Sequence, residues 1–107
     1  MLKPIISADS HVCEPPNCFI DNIDPAYRER APRLVHDEKR GDIFIVEGSR
    51  QPIPISLVSA AGKSPEELSP KGAVFDKLHR GGWDPHARID DQRRDGIAAE
   101  VIYPSVG

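Results

Sequence analysis

The sequence predicts an α/β protein with a parallel sheet, and three observations favour this fold class. Two short apolar segments, residues 2–8 and 97–103, are each bounded by polar or turn-forming residues, as is typical of buried strands. A helical segment, residues 85–95, lies directly before the second of them. A strand, a long connecting segment, a helix and a second strand form a βαβ unit, in which the two strands run parallel.

The composition excludes several classes of function. The 107 residues carry a net charge of −3 without a basic cluster, which argues against nucleic acid as the main partner. No apolar run approaches the ~20 residues of a membrane span, and the apolar start is too short for a signal peptide. Two cysteines make no disulfide framework, so we expect a reducing cytoplasm. With 11 prolines and only 38% hydrophobic residues, the chain is expected to be part of something larger.

The first third of the chain predicts one strand and two short helical turns. Because strand side chains alternate, Ile5, Ser7, Asp9 and His11 are expected to share one face. Two prolines then turn the chain, and residues 19–20 suit a single helical turn. An N-cap followed by proline predicts a short helix over residues 26–30.

The middle of the chain predicts a hairpin followed by a long loop. Strands at residues 33–36 and 42–47 are joined by a charged, glycine-ended link, and the two prolines of residues 51–55 allow only an edge strand. Residues 59–82 are rich in Ser, Gly, Pro and Lys, which predicts a loop of the kind that often forms a lid. A capping box at Ser64 and Glu67 predicts one turn within it.

The last third has the clearest helix signals. Asp84 is a good N-cap, Pro85 suits the first helical position and Gly96 ends the helix. The apolar stripe of this helix is poor, since Gln92 stands where an apolar residue is expected. Trp83 is expected to anchor the start of the helix.

Asp9 and His11 are the main candidates for chemistry. A carboxylate and an imidazole two residues apart on a strand project the same way and can bind one divalent ion at ~2.0–2.2 Å. The alternative is a hydrogen-bonded pair at the strand end. Glu14 is either a further ligand, a group that orients His11, or a solvated turn residue.

The cysteines and the other histidines can also be interpreted as structural or surface residues. Cys13 and Cys18 could form a structural zinc site with His11 and His36, but they also suit small buried hydrophobic positions. We expect surface, hairpin or capping roles for the remaining histidines, which are His36, His79 and His86.

Four ordered blocks of the chain carry a family resemblance. The blocks are IISADSHVCEPP (5–16), YRERAPR (27–33), GGWDP (81–85) and RDGIAAEVIYPS (94–105). They resemble amidohydrolase-related proteins, the branch of the metal-dependent amidohydrolase superfamily that includes aminocarboxymuconate-semialdehyde decarboxylase and the resorcylate decarboxylases. The resemblance implies a (β/α)8 TIM barrel with one divalent metal ion, usually zinc, for which Asp9 and His11 match the first two ligands. It also implies hydrolysis or non-oxidative decarboxylation of a small, carboxylated substrate, by relatives that are often oligomers.

The length departs from this family. A complete barrel takes ~250 residues, so residues 1–107 are expected to be the N-terminal portion of a single amidohydrolase-like domain. The remaining ligands and the general acid or base are then expected beyond this segment, and the segment alone is expected to be inactive. The alternative is a non-catalytic truncated remnant, or a module that binds a partner through its unpaired strand edges.

Overall fold

The protein folds into two small sheets, which a computed structural model describes for residues 2–106. The strands in that range are β1 (Ile5–His11), β2 (Arg33–Asp37), β3 (Gly41–Ile45), β4 (Ile53–Pro54) and β5 (Ile97–Tyr103). The α-helices are α1 (Cys18–Asn22) and α2 (Pro85–Asp95). β1 pairs with β5 in parallel, and β2, β3 and β4 form an antiparallel sheet in that order. The predicted α/β class is confirmed, and no barrel closes within residues 2–106.

The parallel pair has the predicted order but contains a bulge. β1 and β5 bring His11 opposite Tyr103, and their register shifts between Ser7 and Ser10. These two serines, expected on opposite faces, have their Oγ atoms 2.7 Å apart. Strict alternation is therefore wrong at this point, because the irregular residues re-aim the side chains that follow them. The strand also begins and ends three residues later than predicted.

The long helix begins and ends where the local signals place it. The Asp84 carboxylate accepts hydrogen bonds from the amides of His86 and Ala87, at 2.9 and 3.4 Å. Pro85 occupies the first turn, and Gly96 ends α2 with a left-handed φ of 72°. Each of these residues acts within its own turn, which is why the sequence alone predicts them.

The buried core lies on the antiparallel sheet. The predicted hairpin of β2 and β3 is confirmed, with β4 as the short edge strand. Phe44, Ile55 and Leu78 form the buried cluster, and the Phe19 ring meets the Phe44 ring edge-on at 6.2 Å. Trp83 packs on the same cluster just before α2, as expected of a helix anchor.

The long segment 59–82 is tied to this core. Its predicted capping box is present, with the Ser64 amide 2.7 Å from the Glu67 carboxylate. Leu78 enters the buried cluster, and the Ala73 carbonyl accepts a hydrogen bond of 2.8 Å from the Asp42 amide. The segment is therefore part of the packed structure and not a free lid.

The parallel pair remains largely uncovered. The prediction that segments 2–8 and 97–103 are buried is wrong here, since five large apolar side chains of β1 and β5 are 46 to 61% exposed: Ile5, Ile6, Val101, Ile102 and Tyr103. The radius of gyration is 15.4 Å, against about 13 Å for a compact domain of this length. The accessible surface is 7837 Å², against about 5,900 Å² for a folded monomer of this mass. Within residues 2–106, no helix has the length and apolar character needed to cross a membrane.

Candidate metal site

Asp9 and His11 lie together at the carboxyl end of β1. His11 Nε2 is 3.1 Å from Asp9 Oδ1, and the two side chains are 56% and 81% exposed. Their side chains meet although the register of the strand shifts between Ser7 and Ser10. The His11 ring also lies near the ring of Tyr103 on β5, with 6.1 Å between centroids.

This pair fits two coordination positions of one zinc ion. Two ligand atoms bound at ~2.0–2.1 Å in a tetrahedral site are about 3.3 Å apart, close to the 3.1 Å between Asp9 Oδ1 and His11 Nε2. A carboxylate oxygen and an imidazole nitrogen are both common zinc ligands. Among residues 2–106, no group of three or more His, Cys, Asp or Glu side chains converges. The pair therefore offers two of the four donor atoms that a tetrahedral zinc site needs.

Glu14 is buried and joins the ends of the two parallel strands. It is 7% exposed, so the interpretation as a solvated turn residue is wrong. Its Oε1 accepts hydrogen bonds from the amides of Ser105 and Val106, both at 2.8 Å. The Ser105 hydroxyl in turn donates to the Val12 carbonyl at 2.7 Å. The Glu14 carboxylate thus fixes the segment after β5 against the segment after β1. Its other oxygen, Oε2, has no hydrogen-bond partner among the described residues, so Glu14 does not bond His11 there.

Glu14→Ala is expected to lower the free energy of unfolding by about 2 kcal/mol, because it leaves the two amides that Glu14 binds without an acceptor. Glu14→Gln is the matched variant, since it keeps a side-chain oxygen and removes only the charge, and we expect it to lose about 1 kcal/mol or less. Urea unfolding of both variants checks this. Equal losses would show that the charge, and not the acceptor oxygen, is what matters.

A polar network that joins β1, β5 and α2 was not predicted from the sequence. Glu100, in the middle of β5, accepts hydrogen bonds from Arg88 Nε at 2.6 Å, Gln92 Nε2 at 2.7 Å and Ser10 Oγ at 3.0 Å. The Arg88 and Glu100 side chains are only 17% and 13% exposed. The Arg88 guanidinium holds the pKa of Glu100 below its ordinary value against the opposing effect of burial, and Gln92 and Ser10 add to the lowering.

The sequence did contain two signals for this network. Glu100 is the one charged residue among the apolar residues 97–103, and buried charges are normally paired. Arg88 and Gln92 stand four residues apart, so they share one face of α2. The expectation of an apolar residue at position 92 is wrong, because this face of the helix meets a carboxylate.

Two of the other histidines pair with carboxylates. His36 Nδ1 is 2.8 Å from Asp42 Oδ1 across the hairpin, and His79 Nε2 is 2.6 Å from Asp91 Oδ2 on α2. His86 is exposed in the first turn of α2. These placements agree with the predicted hairpin and surface roles.

The cysteines are free thiols within the described residues. The Cys13 thiol donates to the Val58 carbonyl at 2.9 Å, and burial raises its pKa, with the Glu14 carboxylate raising it further. Burial also raises the pKa of the Cys18 thiol. Within residues 2–106, the cysteines, His11 and His36 do not form the four-ligand group that the structural zinc alternative needs.

Sequence comparison identifies no relative of this chain. The sequence matches no protein-family model and no curated protein.

Proposed function

We propose that this chain forms the N-terminal part of a metal-dependent hydrolase or non-oxidative decarboxylase of the amidohydrolase type, acting on a small, carboxylated substrate. The observation that carries the proposal is the pairing of Asp9 and His11, 3.1 Å apart, at the carboxyl end of a parallel strand. Active groups of α/β barrels stand at that end of their strands. The four sequence blocks that resemble this family include the Asp9–His11 segment and β5.

The uncovered parallel pair supports a larger barrel. Parallel strands of α/β proteins are covered on both faces, whereas Ile6 and Ile102 are 61% and 46% exposed here. Further strands beside β1 and β5 and further helices over them would bury these side chains. In the proposal, such elements also supply the remaining metal ligands and the general acid or base.

The residues of this chain would hold the ion in place. When bound, a divalent ion, zinc in this proposal, supplies a Lewis acid that polarises a substrate oxygen or activates water. Asp9 offers a carboxylate oxygen and His11 offers Nε2, which must be unprotonated to serve as a ligand. Both cysteines are free thiols, which agrees with a cytoplasmic protein. We further propose that the complete protein forms homo-oligomers, as relatives of this type often do.

Paramagnetic Co²⁺ tests the site directly. Titrated into the isotopically labelled protein, Co²⁺ is expected to broaden the NMR signals of Asp9 and His11 before all others. His11→Ala should abolish this local broadening, because one of the two donors is gone. The matched control is His36→Ala, which removes an imidazole that is also paired with a carboxylate, at 2.8 Å, and similarly exposed. Local broadening that survives in His11→Ala, or disappears in His36→Ala, would contradict the proposal.

A non-catalytic module that binds a partner is the second candidate, and the exposed apolar side chains of β1 and β5 favour it. The intact mass of the protein from its native source separates the two candidates. A mass several times 11.8 kDa supports the complete barrel, whereas a mass of 11.8 kDa supports the module. If that module held structural zinc, Cys13→Ser would release the metal and Asp9→Ala would not.

A further inference from the structure

Arg88 connects α2 to the carboxyl end of β1. Its Nη1 donates to the carbonyl oxygens of His11 at 3.0 Å and Gly81 at 3.3 Å. Its Nε and Nη2 donate to the two oxygens of Glu100, at 2.6 and 3.3 Å. Because a guanidinium is a rigid planar fork, the pairing with Glu100 determines where Nη1 points. The contact with the His11 carbonyl is thus set by a carboxylate on the neighbouring strand.

Glu100 also contacts the carboxyl end of β1 directly, through Ser10. Its Oε1 accepts a hydrogen bond of 3.0 Å from the Ser10 hydroxyl, and Ser10 directly precedes His11. Its Oε2 accepts a further hydrogen bond of 2.7 Å from Gln92. The depressed pKa of Glu100 agrees with a carboxylate that stays charged at neutral pH. The network therefore holds the Ser10 side chain through Glu100 and the His11 carbonyl through Arg88.

The placement of these charges is not explained by stability alone. Taking an ion pair out of water costs free energy that the attraction of the two charges often only just offsets, and replacing such a pair by apolar residues of similar size is often neutral or stabilising. A charged network with directed hydrogen bonds does what an apolar contact cannot, since it fixes one geometry of the strand end.

We propose that Arg88 and Glu100 are positioning residues, which hold the carboxyl end of β1 so that His11 presents its imidazole in the geometry that binds a divalent ion. The role toward the ion rests on the proposed function, whereas the hold on the strand end does not. Groups that orient a metal ligand typically change metal affinity by about 10- to 100-fold when they are replaced.

Two conservative variants test this. Arg88→Lys keeps the charge and loses the planar fork, and Glu100→Gln keeps an acceptor oxygen and loses the charge. The matched control is Arg30→Lys, because Arg30 Nε is paired with a Glu47 carboxylate oxygen at 2.7 Å on the protein surface, with side chains 66% and 55% exposed.

Two measurements are made on each variant: the affinity for Co²⁺ from the broadening of the His11 signals, and hydrogen exchange at the amides of Val12 and Cys13. These amides donate to the carbonyls of Tyr103 and Gly82, at 3.4 and 2.7 Å. For Arg88→Lys and Glu100→Gln we expect about tenfold weaker Co²⁺ binding and faster exchange at these two amides. Exchange in β3 should stay unchanged, which a general loss of stability would not allow. Arg30→Lys should behave as the wild type.

The two proposals fail in different ways. If the wild type binds Co²⁺ at His11 and both variants match it in affinity and in exchange, the positioning role is overturned. If the wild type shows no binding at His11 while either variant exchanges faster at Val12 and Cys13, the metal function fails and the hold on the strand end stands. If one variant does not fold, the other decides.

Discussion

A Gly41→Ala variant is expected to lose about 3 kcal/mol or more of the free energy of unfolding. Gly41 has a φ of 81°, a left-handed conformation that costs other residues about 1–2 kcal/mol. An added Cβ would also overlap the Ala73 carbonyl oxygen and lie 2.7 Å from the Gly72 carbonyl carbon. These are backbone atoms held in place, since Ala73 O accepts from the Asp42 amide and the Gly72 amide donates to Arg40 O, both at 2.8 Å. Relief of the overlap therefore separates segment 72–73 from the hairpin, at a further cost of about 1–3 kcal/mol.

Gly48→Ala is the control that separates the two contributions. Gly48 has almost the same φ, 82°, and beyond its two chain neighbours no atom of residues 2–106 lies within 4 Å of a Cβ added there. We expect this variant to lose only the conformational part, about 1 kcal/mol. Urea unfolding followed by circular dichroism gives both values. Equal losses would mean that segment 72–73 moves away without cost, against the packing described for it.

Ile55→Ala is expected to lose about 3 kcal/mol of the free energy of unfolding. Ile55 is 2% exposed and belongs to the buried cluster with Phe44 and Leu78, so truncation leaves a cavity that its neighbours cannot fill without moving. Leu57 stands two residues away in the same 3-10 turn and is 64% exposed.

Leu57→Ala should therefore cost about 0.5 kcal/mol or less. Denaturant midpoints of the two variants check the contrast. Similar midpoints would show that Ile55 does not belong to the stabilising core.

Local signals made part of this structure predictable. Asp84, Pro85 and Gly96 bound α2 because each acts within one helical turn. The hairpin and the capping box at Ser64 follow from neighbours in sequence in the same way. The proximity of Asp9 and His11 was also predicted from a local feature, their spacing of two residues on one strand, although the bulge interrupts strict alternation there.

The remaining features depend on residues that are distant in sequence. Glu14 is buried because the amides of Ser105 and Val106, some 90 residues later, reach its carboxylate. No pattern around Glu14 reveals that partner. The burial predicted for β1 and β5 was wrong for a related reason. Apolar residues in a strand indicate that the strand suits a buried position, but they do not show whether residues of the same segment bury it.

The pairing of β1 with β5 has a consequence for the order of folding. Ile5 lies opposite Ile97, roughly 90 residues away, whereas Arg33 and Ile45 of the hairpin are roughly 12 residues apart. Closing the longer loop costs about 2 kcal/mol more in chain entropy, and contacts that distant in sequence form slowly. We therefore expect the hairpin to form first and the parallel pair last. The Arg88 and Glu100 contacts with the strand end exist only after that last step. If His11 binds an ion as proposed, its apparent affinity is therefore reduced by the fraction of molecules in which the step is incomplete.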